Sequence, residues 1–361
     1  MLGWVALLVG LLLVPTLFLA RHQSQSLHEE ELAWEATLDP AKPDPGFPLP
    51  EPLPTDRARR VGIGFYLERV DDVSIHDSQW TAVIDVWCRW NDDEPGSIPD
   101  PAFDPFDHLI AVSGEITDRT LLDRVDDGPR HYRLQRLNVR YTKVFRLVNF
   151  PLDRHLLLAS FENSAHERDE LLFVPDQEGS AVSLRAKIAG YRVRRFHAVE
   201  NPHSYQTSRG LPGVPADRRP TYSQPRFALV VHRDGIELFS KMFQAMVVAV
   251  GVALLACFIK PTHVDPRFGL GVGALFAAVA NSYLVGAEMP EGGEFSLADV
   301  INLLGIVTIL ITLTESTISL HLYESLDRPA VSRRLDRVSF WTILVCFATA
   351  LVLLLTPPLI R

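Results

Sequence analysis

The sequence predicts an all-β antiparallel sandwich on the exported side of a membrane, followed by an all-α transmembrane domain of four helices. Short stretches of alternating apolar residues fill the chain from about residue 61 to residue 233. Four apolar runs of about 20 residues, each long enough to cross a bilayer, then follow from Phe239. A further apolar run, Leu2 to Ala20, indicates that the sandwich is exported.

The N-terminal segment, residues 1–26, is interpreted as a signal peptide or an N-terminal membrane anchor. Phe18 departs from the small residues expected before a cleavage site at Ala20, which favours the anchor. Residues 27–58 are predicted to form a proline-rich linker, because seven prolines occur between Asp39 and Pro54. Such a composition favours an extended, stiff chain. A short helix near Leu27 to Leu38 is the expected exception.

Residues 59–235 are predicted to form the extracellular β-sandwich, which would be a ligand-binding domain. Ala82, Ile84, Val86 and Cys88 alternate with other residues, as in a strand with one buried face. Glycine, proline, aspartate and asparagine separate successive strands. Cys88 has no second cysteine within this domain, so the packed core, not a disulfide, must hold it together.

Residues 236–361 are predicted to form the four-helix pore domain, with spans near Phe239–Ile259, Phe268–Ala287, Leu297–Leu320 and Phe340–Pro358. Lysine and arginine concentrate in the first and third connections between these spans, whereas the second connection is acidic. By the positive-inside rule, the first and third connections are cytoplasmic and the β-domain lies outside.

Composition and motifs also argue against other function classes. The formal net charge of -9 and the lack of a basic cluster argue against binding to nucleic acid. An enzyme is not expected either, because the sequence has no nucleophile elbow, no metal-spaced histidine motif and no phosphate-binding glycine loop. No metal or cofactor is therefore predicted.

Three short segments carry a family resemblance. They are "WTAVIDVWCRWND" (80–92), "NFPLDRHLLLASFEN" (149–163) and "HRDG" (232–235), which stands just before the first predicted span. In this order and spacing they resemble the pentameric ligand-gated ion channel family, the superfamily of the Cys-loop receptors and their prokaryotic relatives. The resemblance covers about Arg60 to Ile360. The family's disulfide cysteines would fall near Lys143 and Leu157, so the bridge is missing, as in prokaryotic members.

The resemblance implies a homopentameric, ligand-gated ion channel of the bacterial inner membrane, with its β-domain on the periplasmic side. It implies that Pro151 and Asp153 couple ligand binding to the pore, that Asp153 pairs with Arg233, and that Pro290 belongs to the same coupling set. An alternative from turn chemistry alone is that Asp153 stabilises a β-turn. The other function class left open is a non-conducting membrane-anchored periplasmic sensor or scaffold.

The second predicted span is interpreted as pore-lining. Steps of three and four residues from Asp265 place one set on a single helix face: Gly269, Gly273, Phe276, Ala280 and Tyr283. The family alignment selects the same face. A ring of Asp265 would favour monovalent cations at the cytoplasmic mouth, with Arg267 near enough to offset it, and a ring of Phe276 would form a hydrophobic gate.

Alternatives to this interpretation remain open. Asp265 before Pro266 is also a typical N-cap with proline at the first helical position. Gly269 and Gly273 would also permit close packing between helices. Glu315 in the third span is a candidate functional group because it is ionisable within the membrane, although a structural role is expected.

The ligand is an unknown small molecule or protons. Tyr205 and Tyr222 lie in the hairpin under which the family binds agonists, and their rings would stack on a cation. The family's tryptophan in the segment matched to "PDPAFDPFDHLIAV" is absent, which argues against a full aromatic cage. Histidines provide the alternative of proton sensing: His108, His131, His155, His166, His197 and His203.

Overall fold

The computed structural model describes residues 1–40, 42, 54–94, 102–210, 212, 215, 217–287, 289 and 294–360. Contacts divide the chain into two units. The helical unit comprises Met1–His28, Arg146–Asp153 and Asp234–Arg361. The β-rich unit comprises Glu29–Phe145 and Arg154–Arg233.

Five long helices account for most of the helical unit: α1 (Leu2–Leu38), α2 (Gly235–Leu255), α3 (Val264–Gly286), α4 (Leu297–Glu324) and α5 (Pro329–Ile360). A short 3-10 helix, Ala256–Phe258, follows α2. All five long helices are apolar and long enough to cross a bilayer. They identify the chain as a membrane protein.

Helix α1 overturns the predicted fold class. The β-rich region, residues 59–233, lies between two helical segments, so the prediction of a β-sandwich followed by a four-helix domain is wrong. The apolar run that begins at Leu2 continues as helix to Leu38, because residues 21–38 contain neither glycine nor proline to stop it. Residues 27–38, assigned to the linker, are therefore the last part of α1; residues 43–53 of that linker lie outside the described part of the chain.

The first part of α1 belongs to the helical unit. Its buried residues include Leu8, Leu12, Thr16 and Ala20, which recur every fourth position and so form one stripe. The Trp4 indole N–H donates to Ser339 Oγ of α5 at 2.9 Å. This stripe and this hydrogen bond make α1 a packed part of the unit.

Ten strands form the β-rich region: β1 (Arg59–Ser74), β2 (Gln79–Asn91), β3 (Leu109–Ala111), β4 (Gly114–Asp127), β5 (Arg130–Thr142), β6 (Arg154–Asn163), β7 (Leu171–Pro175), β8 (Ala181–Val182), β9 (Tyr191–Ser204) and β10 (Thr221–Arg233). One sheet has the order β4-β5-β2-β1-β7, with β8 also paired to β1. The other has the order β3-β6-β10-β9.

The pairing also departs from the predicted antiparallel arrangement. Strand β1 pairs in parallel with β7 and with β8, whereas the other strand pairs of the two sheets are antiparallel. A parallel pair needs a long crossover connection, and β1 and β7 are separated by five intervening strands. Alternation of apolar residues reveals a strand but not its partner, so the sequence could not indicate this pairing.

The core of the β-rich unit contains aromatic side chains from both sheets. Phe65 of β1 stacks on Phe227 of β10, with ring centroids 4.6 Å apart, and both side chains are fully buried. Strand β4, at the edge of its sheet, is exposed along nearly its whole length and carries many charged residues. Such charges keep an unpaired strand edge from pairing with other chains.

Candidate functional site

Helix α3 has two opposite faces. The predicted pore-lining residues are all exposed within the chain: Asp265, Gly269, Gly273, Phe276, Ala280 and Tyr283. Phe276 is 73% exposed and Tyr283 is 79% exposed, which is unusual for large aromatic side chains within a packed helical unit. The buried residues of α3 are Arg267, Gly271, Ala274, Ala278, Asn281 and Val285. At roughly 100° per residue, the centres of these two sets lie about 160° apart around the helix axis.

The glycines of α3 differ in their surroundings. A Cβ built on Gly269 or Gly273 would meet nothing within 4 Å, so neither glycine permits close packing between the described helices. A Cβ on Gly271 would overlap the side chain of Leu313 in α4. The close-packing role considered from the sequence therefore belongs to Gly271, on the buried face.

The start of α3 also differs from the N-cap alternative. The N-cap residue is His263, and Asp265 lies in the first turn of the helix. Asp265 is exposed there, where the positive end of the helix dipole favours a carboxylate. Its charge is therefore available to solvent at the end of the exposed face.

Arg267 lies on the buried face, away from Asp265, and is fully buried in a charged cluster with Glu315 of α4 and Asp336 of α5. Arg267 Nη2 donates to Asp336 Oδ1 at 2.8 Å and to Glu315 Oε2 at 3.2 Å. Arg267 Nη1 donates to the carbonyl oxygen of Ile259 at 3.0 Å. One guanidinium thus connects α3, α4, α5 and the segment after α2. Its charge is neutralised within the helical unit, so it does not offset Asp265 as the sequence had suggested.

The sequence did not identify this cluster. It placed Arg267 at the pore mouth because Arg267 stands two residues from Asp265, although two residues on a helix point in nearly opposite directions. Glu315 was expected to reach the membrane interface, but its side chain is 0% exposed. Asp336 was not singled out. The available signal was the presence of one basic and two acidic residues in or beside apolar spans, where ionisable residues usually pair.

A second polar contact joins α3 to α4. Asn281 Nδ2 donates to Asn302 Oδ1 at 3.0 Å, and both side chains are buried. Buried amides in a membrane helix need such partners because the bilayer core supplies none. This contact fixes which face of α3 packs inward.

The proline-containing turn, Arg146–Asp153, belongs to the helical unit. The backbone N–H of Leu297 donates to the Val148 carbonyl at 2.8 Å, which ties the turn to the start of α4. A Cβ on Gly235, the first residue of α2, would lie 2.5 Å from the carbonyl oxygen of Pro151. The turn therefore packs closely against the start of two membrane helices.

The other residues of the predicted coupling set are in different places. Asp153 ends the turn and is 2% exposed. Arg233 ends β10 in the β-rich unit, where its guanidinium lies 4.5 Å from the centroid of the Tyr191 ring. Pro290 lies outside the described residues. The pairing of Asp153 with Arg233 stays a prediction.

The predicted ligand-binding tyrosines are neighbours. Tyr205 and Tyr222 have ring centroids 5.7 Å apart at an interplanar angle of 83°. The Arg209 guanidinium lies 4.1 Å from the Tyr205 centroid and 5.6 Å from the Tyr222 centroid. The position suited to a bound cation is therefore held by an arginine of the same chain.

Glu162 lies beneath these rings and is fully buried. The Tyr205 hydroxyl donates to Glu162 Oε1 at 2.9 Å. Burial raises the pKa of Glu162, and the Tyr205 hydrogen bond and the charge of Arg209 only partly oppose this shift. Burial also raises the pKa of Tyr205, and the nearby Glu162 adds to that increase. Neither Glu162 nor Arg209 was singled out from the sequence, because their roles depend on contacts between separate strands and loops.

Comparisons with protein-family models and with curated proteins give no match for this chain.

Proposed function

We propose that this chain is a subunit of a gated ion channel whose pore is lined by the exposed face of α3. The observation that carries the proposal is the one-sided construction of α3. Its buried face packs on neighbouring helices through Arg267 and Asn281, whereas its exposed face presents a carboxylate, two glycines, an alanine and two aromatic rings.

This exposed face suits an aqueous path better than lipid. Small residues in membrane helices usually occur where helices or polar surfaces meet, because lipid contact favours larger apolar side chains. On α3, Gly269, Gly273 and Ala280 are all exposed. Several copies of the chain around one axis would bring these faces together and shield them from the bilayer.

Rings of identical residues would then determine permeation. A ring of Asp265 carboxylates would attract cations at one mouth, and no guanidinium of Arg267 would face it. A ring of Phe276 would form an apolar constriction that closes by excluding water. The resemblance to pentameric ligand-gated ion channels supports five identical subunits, cation preference and the location in a bacterial inner membrane.

The gating signal would enter through the β-rich region and reach the helices through the turn Arg146–Asp153. The turn interrupts the β-rich unit in sequence yet packs on the starts of α2 and α4. The basic connections before α3 and α5 support an external position for the β-rich region. A small molecule or a proton would be the signal.

Current measurement on the purified full-length chain in planar bilayers under a KCl gradient tests this proposal. Asp265→Asn removes the charge but keeps the size of the side chain, and Glu324→Gln is the control at an exposed carboxylate at the end of α4. We expect a cation-selective reversal potential for the native protein, a smaller one for Asp265→Asn, and no change for Glu324→Gln.

The hydrophobic gate has a matched pair of variants as well. Phe276→Ala should raise the resting current because it widens the apolar constriction. Phe258→Ala is the control, since Phe258 is exposed to nearly the same extent, 71%, but is not on α3. Currents that respond equally to both substitutions would contradict a pore lined by α3. Silence from a folded oligomer under varied pH, divalent cations and amines would favour the non-conducting sensor.

A further inference from the structure

A cavity of about 380 Å³ lies within the β-rich unit, apart from the Tyr205 and Tyr222 pair. The last turns of α1 form one wall through Ala33 and Thr37. Strands of both sheets form the others, including Trp80 of β2 and Leu158 of β6. Its volume is within the range of pockets that bind small molecules.

The charge of the cavity is one-sided. Lys143 and Arg226 line it, whereas none of its described lining residues is an aspartate or a glutamate. Arg226 is held in place, because its Nε donates to Gln224 Oε1 at 2.8 Å and its Nη1 donates to the Thr37 carbonyl at 3.3 Å. Gln224 Nε2 is buried and has no acceptor within hydrogen-bond distance among the described residues. The cavity therefore offers more hydrogen-bond donors and positive charge than its own walls satisfy.

Lys143 is the key cation of this cavity. The residue is half-buried, its ammonium lies 5.6 Å from the Phe145 ring centroid, and that ammonium has no hydrogen-bond partner among the described residues. Burial lowers the pKa of Lys143, and the charge of Glu30 on α1 only partly opposes this shift. An anion beside the ammonium would offset the cost of burying it.

The remaining walls are largely apolar. Trp80 stacks on Tyr141 with ring centroids 5.1 Å apart, and Leu156 and Leu158 of β6 lie beside them. A ligand that fits must combine an anionic group for Lys143 and Arg226 with a compact apolar body. Small carboxylic acids have this combination, and inorganic anions do not.

We propose that this cavity binds a small organic carboxylate, with the carboxylate paired to Lys143 and Arg226 and its apolar part against Trp80 and Leu158. This site goes beyond the proposed channel function, because it is defined by binding alone. Its occupant would also contact the last part of α1, so binding is expected to stabilise that part of the helix.

Calorimetric titration of the purified full-length chain with benzoate tests the proposal, with the neutral isostere benzamide as the control ligand. We expect saturable binding of benzoate and at least tenfold weaker binding of benzamide, since a charge-assisted pair contributes about 1.5–3 kcal/mol. Lys143→Gln should weaken benzoate binding at least tenfold. Lys187→Gln, which changes an exposed lysine outside the cavity, should leave it unchanged.

Two further measurements guard against a variant that fails to fold. Ala33→Leu keeps both cations but fills the cavity from α1, so it should also abolish benzoate binding. Benzoate affinity of the native chain should fall as pH rises through the lowered pKa of Lys143, and this dependence should be lost in Lys143→Gln. Absence of saturable benzoate binding by the folded native chain, equal binding of benzamide, or unchanged affinity in both cavity variants would overturn the proposal.

Discussion

Replacement of Arg267 by methionine tests the charged cluster that joins three membrane helices. The substitution removes the guanidinium but keeps a long, flexible side chain in its place. It would leave Glu315 and Asp336, whose side chains are 0% and 7% exposed, without the partner that lies 3.2 Å and 2.8 Å from their oxygens. We expect a large loss of stability, because an uncompensated buried charge has no water to solvate it.

The size of the effect follows from the interactions that the substitution removes. Removal of one partner from a buried ion pair typically costs about 3–5 kcal/mol. The hydrogen bond from Arg267 Nη1 to the Ile259 carbonyl disappears as well. For a unit of this size, the midpoint of thermal unfolding falls by about 2–4 °C per kcal/mol, so it should drop by roughly 6–20 °C.

Thermal unfolding of detergent-solubilised protein, followed by the amount that still elutes as the native oligomer after heating, measures the change. Arg337→Met is the control, because Arg337 is an exposed arginine of α5, and it should change the free energy of unfolding by no more than about 0.5 kcal/mol. The combined variant Arg267→Met, Glu315→Met, Asp336→Leu should recover most of the loss, since it removes all three charges together. An effect of Arg267→Met as small as the control, or no recovery in the combined variant, would refute the reasoning.

Two other predictions concern packing and pH. Gly235→Ala should lower the free energy of unfolding by about 1–3 kcal/mol, because the new Cβ would crowd the fixed carbonyl oxygen of Pro151 at 2.5 Å. Gly273→Ala, with nothing within 4 Å of its Cβ, is the matched control in the same thermal assay, and equal losses in both variants would contradict the close contact. Glu162→Gln should raise thermal stability near neutral pH. The folded state raises the pKa of Glu162, so the native chain loses stability as pH rises from the ordinary glutamate value through the raised one, whereas the variant does not. Melting curves of both proteins across pH check this, and a gain that persists unchanged below about pH 4 would count against it.

The membrane helices after the β-rich region could be predicted from the sequence. Each contains about 20 apolar residues, and a bilayer core requires that length whatever the helix packs against. The third span was placed at Leu297–Leu320, and α4 is Leu297–Glu324. Its start was legible because Ser296 and Asp299 form a capping box, which is a local signal.

The face of α3 that is exposed could also be derived from the sequence. Helical periodicity groups Asp265, Phe276 and Tyr283, and all three are exposed. The periodicity could not identify the partners of the opposite face. Arg267 meets residues 48 and 69 positions further along the chain, and no local pattern relates groups so far apart.

The sequence by itself determined what local physics controls: apolar length, alternation in strands, and the period of a helix face. The tertiary structure decided everything that depends on a distant partner. It placed a 37-residue helix ahead of the β-rich region, paired β1 in parallel with β7, buried Arg267 between two carboxylates, and brought Lys143 and Arg226 to one cavity. The physical reason is that a buried charge or an unpaired strand edge is stable only when a complementary group arrives from elsewhere in the chain, and only the folded chain supplies that group.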